Sequence, residues 1–139
     1  MSLTEAAEST VRIIKQIIHD LKKYYPGDAI ILEATSDIKL LISVSEVKVL
    51  EVVGCHLAKY EDEIINLPNT RDFGFMVDNS FDDELENVKK GKTGANEKTI
   101  IYIINKIKEY ARNIDEETKT KYIDYLLAML NDYYVFASS

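Results

Sequence analysis

Apolar residues recur every three or four positions in four stretches of the chain, which is the spacing of one face of an α-helix. The first such stretch covers residues 4–25. Its repeating apolar residues are Ala7, Val11, Ile14, Ile18, Leu21 and Tyr25. Ser2 and Glu5 stand at the spacing of a capping box, and Pro26 and Gly27 follow the stretch. The pattern predicts a long amphipathic helix between these start and stop residues.

The second stretch covers residues 45–67 and predicts another long helix. Its apolar stripe is Leu50, Val53, Leu57, Tyr60, Ile64 and Leu67. Ser43 and Glu46 stand at capping-box spacing, and Pro68 ends the run. Gly54 lies inside this stretch, where a glycine costs about 1 kcal/mol relative to alanine. We therefore predict that another helix crosses closely at Gly54.

The last third of the chain predicts two more long helices, over residues 97–112 and 116–136, and a short helix is predicted over residues 82–90. The inward-facing residues are Ile100, Ile104, Ile107 and Ala111 in the third long helix, and Ile123, Leu126, Leu127, Leu130 and Tyr134 in the fourth. Asn113 and Glu116 offer a capping box between these two. So short a joint predicts a helical hairpin, with one kinked helix as the less favoured alternative.

Residues 28–44 fit two patterns. Alternation of apolar and polar residues, with Thr35, Ser36 and Asp37 as the turn, predicts a β-hairpin over residues 29–44. The same region also fits helical spacing, through Ile31, Ala34, Ile38 and Leu41. We slightly favour the hairpin.

The predicted architecture is a single, mainly α domain covering residues 1–139: a bundle of four long amphipathic helices plus one short helix, with a small β-hairpin near residues 29–44. If the segment FGFMV at residues 73–77 paired with that hairpin, the class would become α+β with a three-stranded antiparallel sheet.

Charge and composition narrow the functional classes. The 139-residue chain carries a formal net charge of −7, which argues against a general attraction to nucleic acid or to an anionic membrane. The N-terminus lacks the pattern of a signal peptide, and no apolar run is long enough for a membrane span. These features predict a soluble, cytoplasmic protein that does not contact a membrane. Enrichment in lysine and glutamate suits a thermophile, although the asparagine content weakens that interpretation.

The tripeptide Gly91-Lys92-Thr93 matches the end of a phosphate-binding P-loop, but the full motif is incomplete. The motif requires a glycine at position 86, where this chain has Glu86, and it requires a strand in front. We therefore reject nucleotide binding. The lysines nearby still favour a weaker alternative, an anion-binding or nucleic-acid-contacting loop within a nucleoprotein complex. Its residues are Lys89, Lys90, Lys92 and Lys98.

A metal or acid–base site has little support in the sequence. The single cysteine, Cys55, excludes an intrachain disulfide and a cysteine-based zinc site. A small metal-dependent hydrolase would require His19, Asp20 and His56 to converge from two helices, which we keep as a second alternative. No cofactor motif is complete, so we predict no cofactor and assign no catalytic residue.

The tyrosines give the strongest positive indication of function. Tyrosine is favoured at protein interfaces because it combines a large apolar ring with a polar hydroxyl. Five aromatic residues near the C-terminus are the predicted interface: Tyr122, Tyr125, Tyr133, Tyr134 and Phe136. We favour a non-enzymatic protein–protein interaction or oligomerisation module, either a homo-oligomer or a small helical subunit of a larger assembly.

Overall fold

The computed structural model describes residues 1–81, residue 86 and residues 97–139. Seven helices lie in this described part of the chain, which contains no β-strand, so the predicted mainly α class is confirmed. The helices are α1 (Leu3–Tyr24), α2 (Ala29–Val44), α3 (Glu46–Ala58), α4 (Glu61–Thr70), α5 (Gly74–Val77), α6 (Glu97–Asn113) and α7 (Glu116–Ala137).

Helix α1 begins with the capping box that its sequence predicts. The Ser2 hydroxyl accepts a hydrogen bond from the Glu5 backbone N–H, and the Ser2 N–H donates to the Glu5 carboxylate, both at 3.1 Å. These bonds lower the pKa of the exposed Glu5 carboxyl from its usual value. Four residues of the predicted stripe, Ala7, Val11, Ile18 and Leu21, are buried.

Residues 29–44 form one helix, α2, so the predicted β-hairpin is wrong. The Asp28 carboxylate caps the helix by accepting hydrogen bonds from the N–H groups of Ile30 and Ile31. Thr35 does not form a turn: its hydroxyl donates to the Leu32 carbonyl oxygen inside the helix. Burial explains the outcome, because Ile31, Thr35 and Ile42 share a helical face and lie against neighbouring helices, whereas a lone hairpin needs other structure to support it.

The FGFMV segment is also helical, so the structure does not support the three-stranded sheet. Residues Gly74–Val77 make one helical turn, α5. The Asp72 carboxylate accepts a hydrogen bond of 2.8 Å from the Gly74 N–H just before this turn. An aspartate side chain bonded two residues ahead is typical of a turn, which favours helical curvature over an extended strand.

The single helix predicted over residues 45–67 is divided into α3 and α4. The break lies at Lys59 and Tyr60, whose N–H groups donate to carbonyls three residues earlier. Ser45 caps α3 by accepting from the Lys48 N–H, in place of the predicted Ser43. Pro68 lies inside the last turn of α4 and does not end it.

Two compact units make up the chain: unit 1 covers residues 1–71 and 115–139, and unit 2 covers residues 72–114. Because α6 belongs to unit 2, the four long helices predicted from the sequence do not all lie in one unit. The predicted hairpin of α6 with α7 and the single domain over residues 1–139 stay predictions. Within unit 2, the Arg112 guanidinium donates to the Val77 carbonyl oxygen at 2.9 Å, which ties α6 to α5.

In unit 1, α1, α3 and α7 pack against one another, and α2 and α4 lie against this core. Its buried apolar residues are Ala6, Ala7, Val11, Ile18, Leu21, Ile31, Ile42, Leu50, Ile64, Leu67, Ile123, Leu126, Met129 and Leu130. The small side chains of Ala6 and Ala7 lie around the fully buried Leu50 of α3. This combination of small and large residues lets the helices approach closely.

The two ends of unit 1 that flank unit 2 in the sequence are held together by Arg71. This residue ends α4 in the left-handed conformation, with φ of 51°. Its guanidinium donates to the Glu116 carboxylate at 3.0 Å, to the Glu116 carbonyl oxygen at 2.8 Å and to the Thr120 hydroxyl at 3.0 Å. The last turn of α4 is thereby joined to the first turn of α7.

Gly54 lies where α3 meets α7, which confirms the predicted close helix crossing. A Cβ atom built on Gly54 would lie 2.6 Å from the Cβ of Tyr133 and closer still to its ring. The Tyr133 ring is partly buried beside the core residues of α1 and α3. No side chain larger than hydrogen fits at position 54 unless Tyr133 moves.

One buried polar contact links α1 to α7. The Thr10 hydroxyl donates a hydrogen bond of 2.9 Å to the Asp132 carboxylate. Thr10 is 0 % exposed and Asp132 is 3 % exposed, so water is not available to replace a lost bond. Such a pair fixes the register of two helices more strictly than apolar contacts do.

Substituting Gly54 with alanine should destabilise the protein by about 1–3 kcal/mol, because the added methyl group overpacks the contact with Tyr133. Helix propensity alone predicts the opposite sign, a gain of about 1 kcal/mol. Urea denaturation followed by circular dichroism measures the difference. In a Tyr133→Ala background the same substitution should cost much less, and a Gly54→Ala protein more stable than the wild type would contradict the close contact.

Thr10→Val should cost about 1–3 kcal/mol in the free energy of unfolding, because it leaves the buried Asp132 carboxylate without its hydrogen-bond donor. The matched comparison is the Thr10→Val/Asp132→Leu double variant, in which both polar groups are replaced by apolar groups of similar shape. We expect the double variant to be more stable than Thr10→Val alone. A double variant that is no more stable than Thr10→Val would argue against the pair.

Candidate functional site

Two of the five predicted interface aromatics take part in a polar cluster between α1 and α7. The rings of Tyr122 and Tyr125 meet edge to face, with centroids 5.6 Å apart. The Lys121 ammonium lies 5.6 Å and 5.7 Å from the two ring centroids, within cation–π range. The Tyr122 hydroxyl donates to the Asp20 carboxylate at 2.7 Å. Both tyrosines are partly buried by these contacts within the chain.

Asp20 is the acceptor at the centre of this cluster. Besides Tyr122, its carboxylate accepts hydrogen bonds from Lys121 at 2.8 Å and from Gln16 at 3.0 Å. Burial raises the pKa of the Asp20 carboxyl, but the hydrogen bonds and the Lys121 charge outweigh burial, so the pKa lies below its usual value. Asp20 is therefore a charged link between two helices, which accounts for its environment without an acid–base role.

The remaining three predicted aromatics also contact other residues of unit 1. Tyr133 and Phe136 stack with centroids 5.8 Å apart and pack against the core of α1 and α3. Tyr134 is 37 % exposed, and its hydroxyl donates to the Glu61 carboxylate of α4. That hydrogen bond, followed by burial and the nearby acidic charges, raises the pKa of Tyr134 to about 12. Each of the five aromatics thus contacts other residues of unit 1. Their role in an interface stays a prediction.

His19 and His56 do not form a metal site with Asp20. Both histidines are exposed, on α1 and α3. Among the residues that the structure describes, no group of three His, Cys, Asp or Glu side chains could hold a metal ion. Cys55 is an exposed free thiol. The metal-dependent hydrolase therefore gains no support from the described geometry.

The predicted anion-binding loop falls outside the described residues. Lys89, Lys90 and Lys92 belong to the part of the chain that the structure does not describe. Lys98 lies in α6, but its side chain is likewise outside the description. A nucleic-acid or anion contact at these lysines stays a prediction.

Helix α2 carries the largest group of exposed apolar side chains in the described part of unit 1. Leu40 is 67 % exposed, Leu41 63 % and Val44 77 %. Val44 follows Leu40 by four residues and Leu41 by three, so both leucines border Val44 on the helix surface. We name the surface formed by Glu33, Asp37, Leu40, Leu41 and Val44 the α2 outer face.

Sequence reasoning missed this surface because it read the segment as a strand. In a strand, Leu40, Ile42 and Val44 share one face, which would be the buried one. In the helix, Ile42 faces the core and is 7 % exposed, whereas Leu40 and Val44 point away from it. The alternative helical spacing, through Ile31, Ala34, Ile38 and Leu41, places Leu41 on the apolar stripe, whereas the structure leaves Leu41 63 % exposed.

A shallow groove adjoins the α2 outer face at the α2–α3 joint. Its volume is about 490 Å³, and Val44 belongs both to the groove and to the face. Helix α1 supplies Thr4, Ala7 and Lys15 to the other wall, and Glu46 lies at the joint. Through Val44, the exposed apolar side of α2 therefore borders a concave site whose walls are both polar and apolar.

The rest of the α2 outer face is acidic. Glu33 and Asp37 precede Leu40 by seven and three residues, so they lie on the same side of α2, nearer its N-terminus. Both are exposed, and neither forms an ion pair with a lysine or arginine of the described residues. The arrangement can bind an apolar group at one end and a cationic group at the other.

The Asp20→Asn variant should be less stable than the wild type at neutral pH, because it removes the charge that Lys121 contacts. A carboxyl whose pKa is lowered by folding contributes stability above its unfolded pKa of about 3.9, and loses it as pH falls through the lower folded value. The stability gap should therefore narrow below about pH 4. Thermal unfolding between pH 2 and 8 tests this. Asp124→Asn, which changes an exposed aspartate on α7, the helix that carries Lys121, should show no such trend. A pH-independent gap for Asp20→Asn would contradict the link.

Comparison with protein-family models, curated proteins and solved structures finds no match to this chain. None of the described helices combines the length and the apolar character that crossing a membrane requires.

Proposed function

We propose that this chain is a non-enzymatic protein-interaction module, a small helical subunit that binds another protein chain through the α2 outer face. The single observation that carries the proposal is the adjacency of Leu40, Leu41 and Val44, each more than three-fifths exposed. Isolated exposed apolar residues are ordinary on protein surfaces, but adjacent ones are typical of binding sites.

The free-energy argument favours a covered surface. Fully burying a leucine or valine side chain stabilises a protein or a complex by about 1.5–3 kcal/mol relative to leaving it in water. Burying these three side chains together therefore contributes to the free energy of association. The free-energy cost of the entropy lost on binding opposes this contribution. A partner that seats on them also gains the groove beside Val44.

Folding alone gives no reason for apolar residues at these three positions. Helix α2 lies against α1 and α3, and its buried residues are Ile31, Thr35 and Ile42. Lysine and glutamate form helices about as well as leucine does, and better than valine. Charged residues at positions 40, 41 and 44 would therefore preserve the helix and keep its outer side solvated. Their absence supports a binding role for this side.

The proposal includes two kinds of association: with a different protein, or with further copies of this chain. It moves the preferred contact surface from the C-terminal aromatics to α2, because Tyr122, Tyr133 and Tyr134 have contacts within the chain that account for their burial or hydrogen bonding. The aromatics remain the competing location, and a test of the function should include both surfaces.

The test compares association before and after single substitutions. The protein is isolated under native conditions, any co-purifying protein is identified and produced separately, and binding of the two purified proteins is measured by calorimetry. We expect Leu41→Lys to weaken binding by about tenfold or more, because it places a charge in an apolar contact. Its thermal unfolding temperature should change by less than about 3 °C, because the side chain is exposed.

Ile65→Lys is the matched control, because Ile65 is 51 % exposed and lies on α4. It should leave binding unchanged. If Tyr125→Ala weakens binding and Leu41→Lys does not, the contact lies at the aromatics. A chain that sediments as a monomer and forms no complex sensitive to either surface is not an interaction module.

A further inference from the structure

The α2 outer face changes character along its length. Glu33, Asp37, Leu40 and Val44 follow one another at intervals of four, three and four residues, which keeps them on one side of the helix. At 1.5 Å per residue, Glu33 and Val44 are roughly 16 Å apart along the axis. The first half of this length is acidic and the second half is apolar. A complementary partner must therefore present positive charge to the acidic half and apolar side chains to the apolar half.

The negative charge on the first half is not neutralised by α2 itself. Lys39 is the only basic residue of this helix. Consecutive residues of an α-helix are about 100° apart around its axis, so Lys39 points away from the side that carries Leu40. The helix has no basic residue in its last turn, and Asp28 caps its N-terminus. At the groove, Lys15 and Glu46 contribute one charge of each sign. The face therefore attracts positive charge near Glu33 and Asp37.

A second copy of the chain complements this face poorly. If two α2 helices pair antiparallel with their 33–44 faces fully overlapped, Leu40 and Val44 of each copy meet Glu33 and Asp37 of the other, and the acids lose water without gaining a partner. If the helices pair parallel, the acidic residues of the two copies face one another and repel. The net charge of −7 on each chain adds to this repulsion. An anionic bilayer is disfavoured for the same electrostatic reason.

We propose that the occupant of the α2 outer face is a basic amphipathic helix of a partner protein. Its apolar side chains, three or four residues apart, seat on Leu40, Leu41 and Val44. Its lysines or arginines lie one to two turns away and face Glu33 and Asp37. This inference rests on the proposed function and specifies the chemistry of the partner. Helix-in-groove recognition of this kind combines an apolar contact that gives affinity with charges that give selectivity.

The test uses two synthetic helical peptides of roughly 18 residues, long enough to form a helix. Both carry the same leucine stripe, one with lysines and the other with glutamates at the flanking positions. Binding to the full chain is measured by fluorescence anisotropy. We expect the lysine peptide to bind about tenfold or more tightly than the glutamate peptide, and we expect this preference to shrink as salt is added. Leu41→Lys should abolish binding of the lysine peptide.

Charge exchange on α2 provides the decisive comparison. The Glu33→Lys/Asp37→Lys variant should reverse the preference and select the glutamate peptide. Its matched control is Glu117→Lys/Asp124→Lys, which alters the net charge equally at two exposed positions of α7. The control should keep the preference for the lysine peptide. If both double variants change the preference equally, the preference depends only on the net charge of the chain, and the inference is overturned.

Other outcomes separate this inference from the proposed function. Equal binding of both peptides that is lost in Leu41→Lys would leave α2 as an apolar docking surface but overturn the basic partner. Self-association that is lost in Leu41→Lys, or binding to phosphatidylcholine vesicles with the same dependence, would also overturn it in favour of a second copy or a lipid surface. If neither peptide binds while the natural partner still requires Leu41, the partner has a different chemistry. The inference of a basic helix is then wrong, whereas the proposed function stands.

Discussion

The close approach of α3 to α7 at Gly54 and Tyr133 is the constraint on which the rest of unit 1 depends. Because position 54 has no side chain, the Tyr133 ring reaches the space between α3 and α1 and joins the core around Leu50. Thr10 and Asp132 then fix how α1 lies along α7. With these three helices held in place, α2 requires only one of its faces for attachment, so its opposite face is available for contacts outside the chain.

The parts of the fold that could be predicted are those where several sequence features indicate the same structure. Helix α1 forms its predicted capping box, buries four residues of its predicted apolar stripe, and ends at Tyr24, just before Pro26 and Gly27. Helix α2 was mispredicted because its β-branched residues fit both a period of two and a helical period. The contacts of Ile31 and Ile42 with other helices decided between the two, and such contacts are distant in sequence.

The candidate site could not be predicted for a related reason. A sequence pattern identifies apolar residues, but exposure depends on which neighbours the fold supplies. Tyrosine is a residue type favoured at interfaces, yet Tyr133 is partly buried against Gly54. Leucine is a residue type typical of cores, yet Leu41 is 63 % exposed. The crossing at Gly54 was predictable because a glycine inside a helix is costly and requires a local reason.

The bonds from Arg71 to the first turn of α7 have a consequence for how this chain can vary. They bring the end of α4 and the start of α7 together within unit 1, and the intervening 72–114 segment forms a compact unit of its own. Unit 1 is thus closed at the point where the chain leaves it and returns. Changes of length or composition within the intervening segment need not alter the packing of α1, α3 and α7. The chain thus has the organisation of one helical unit that is interrupted, between Arg71 and Asp115, by a second compact unit.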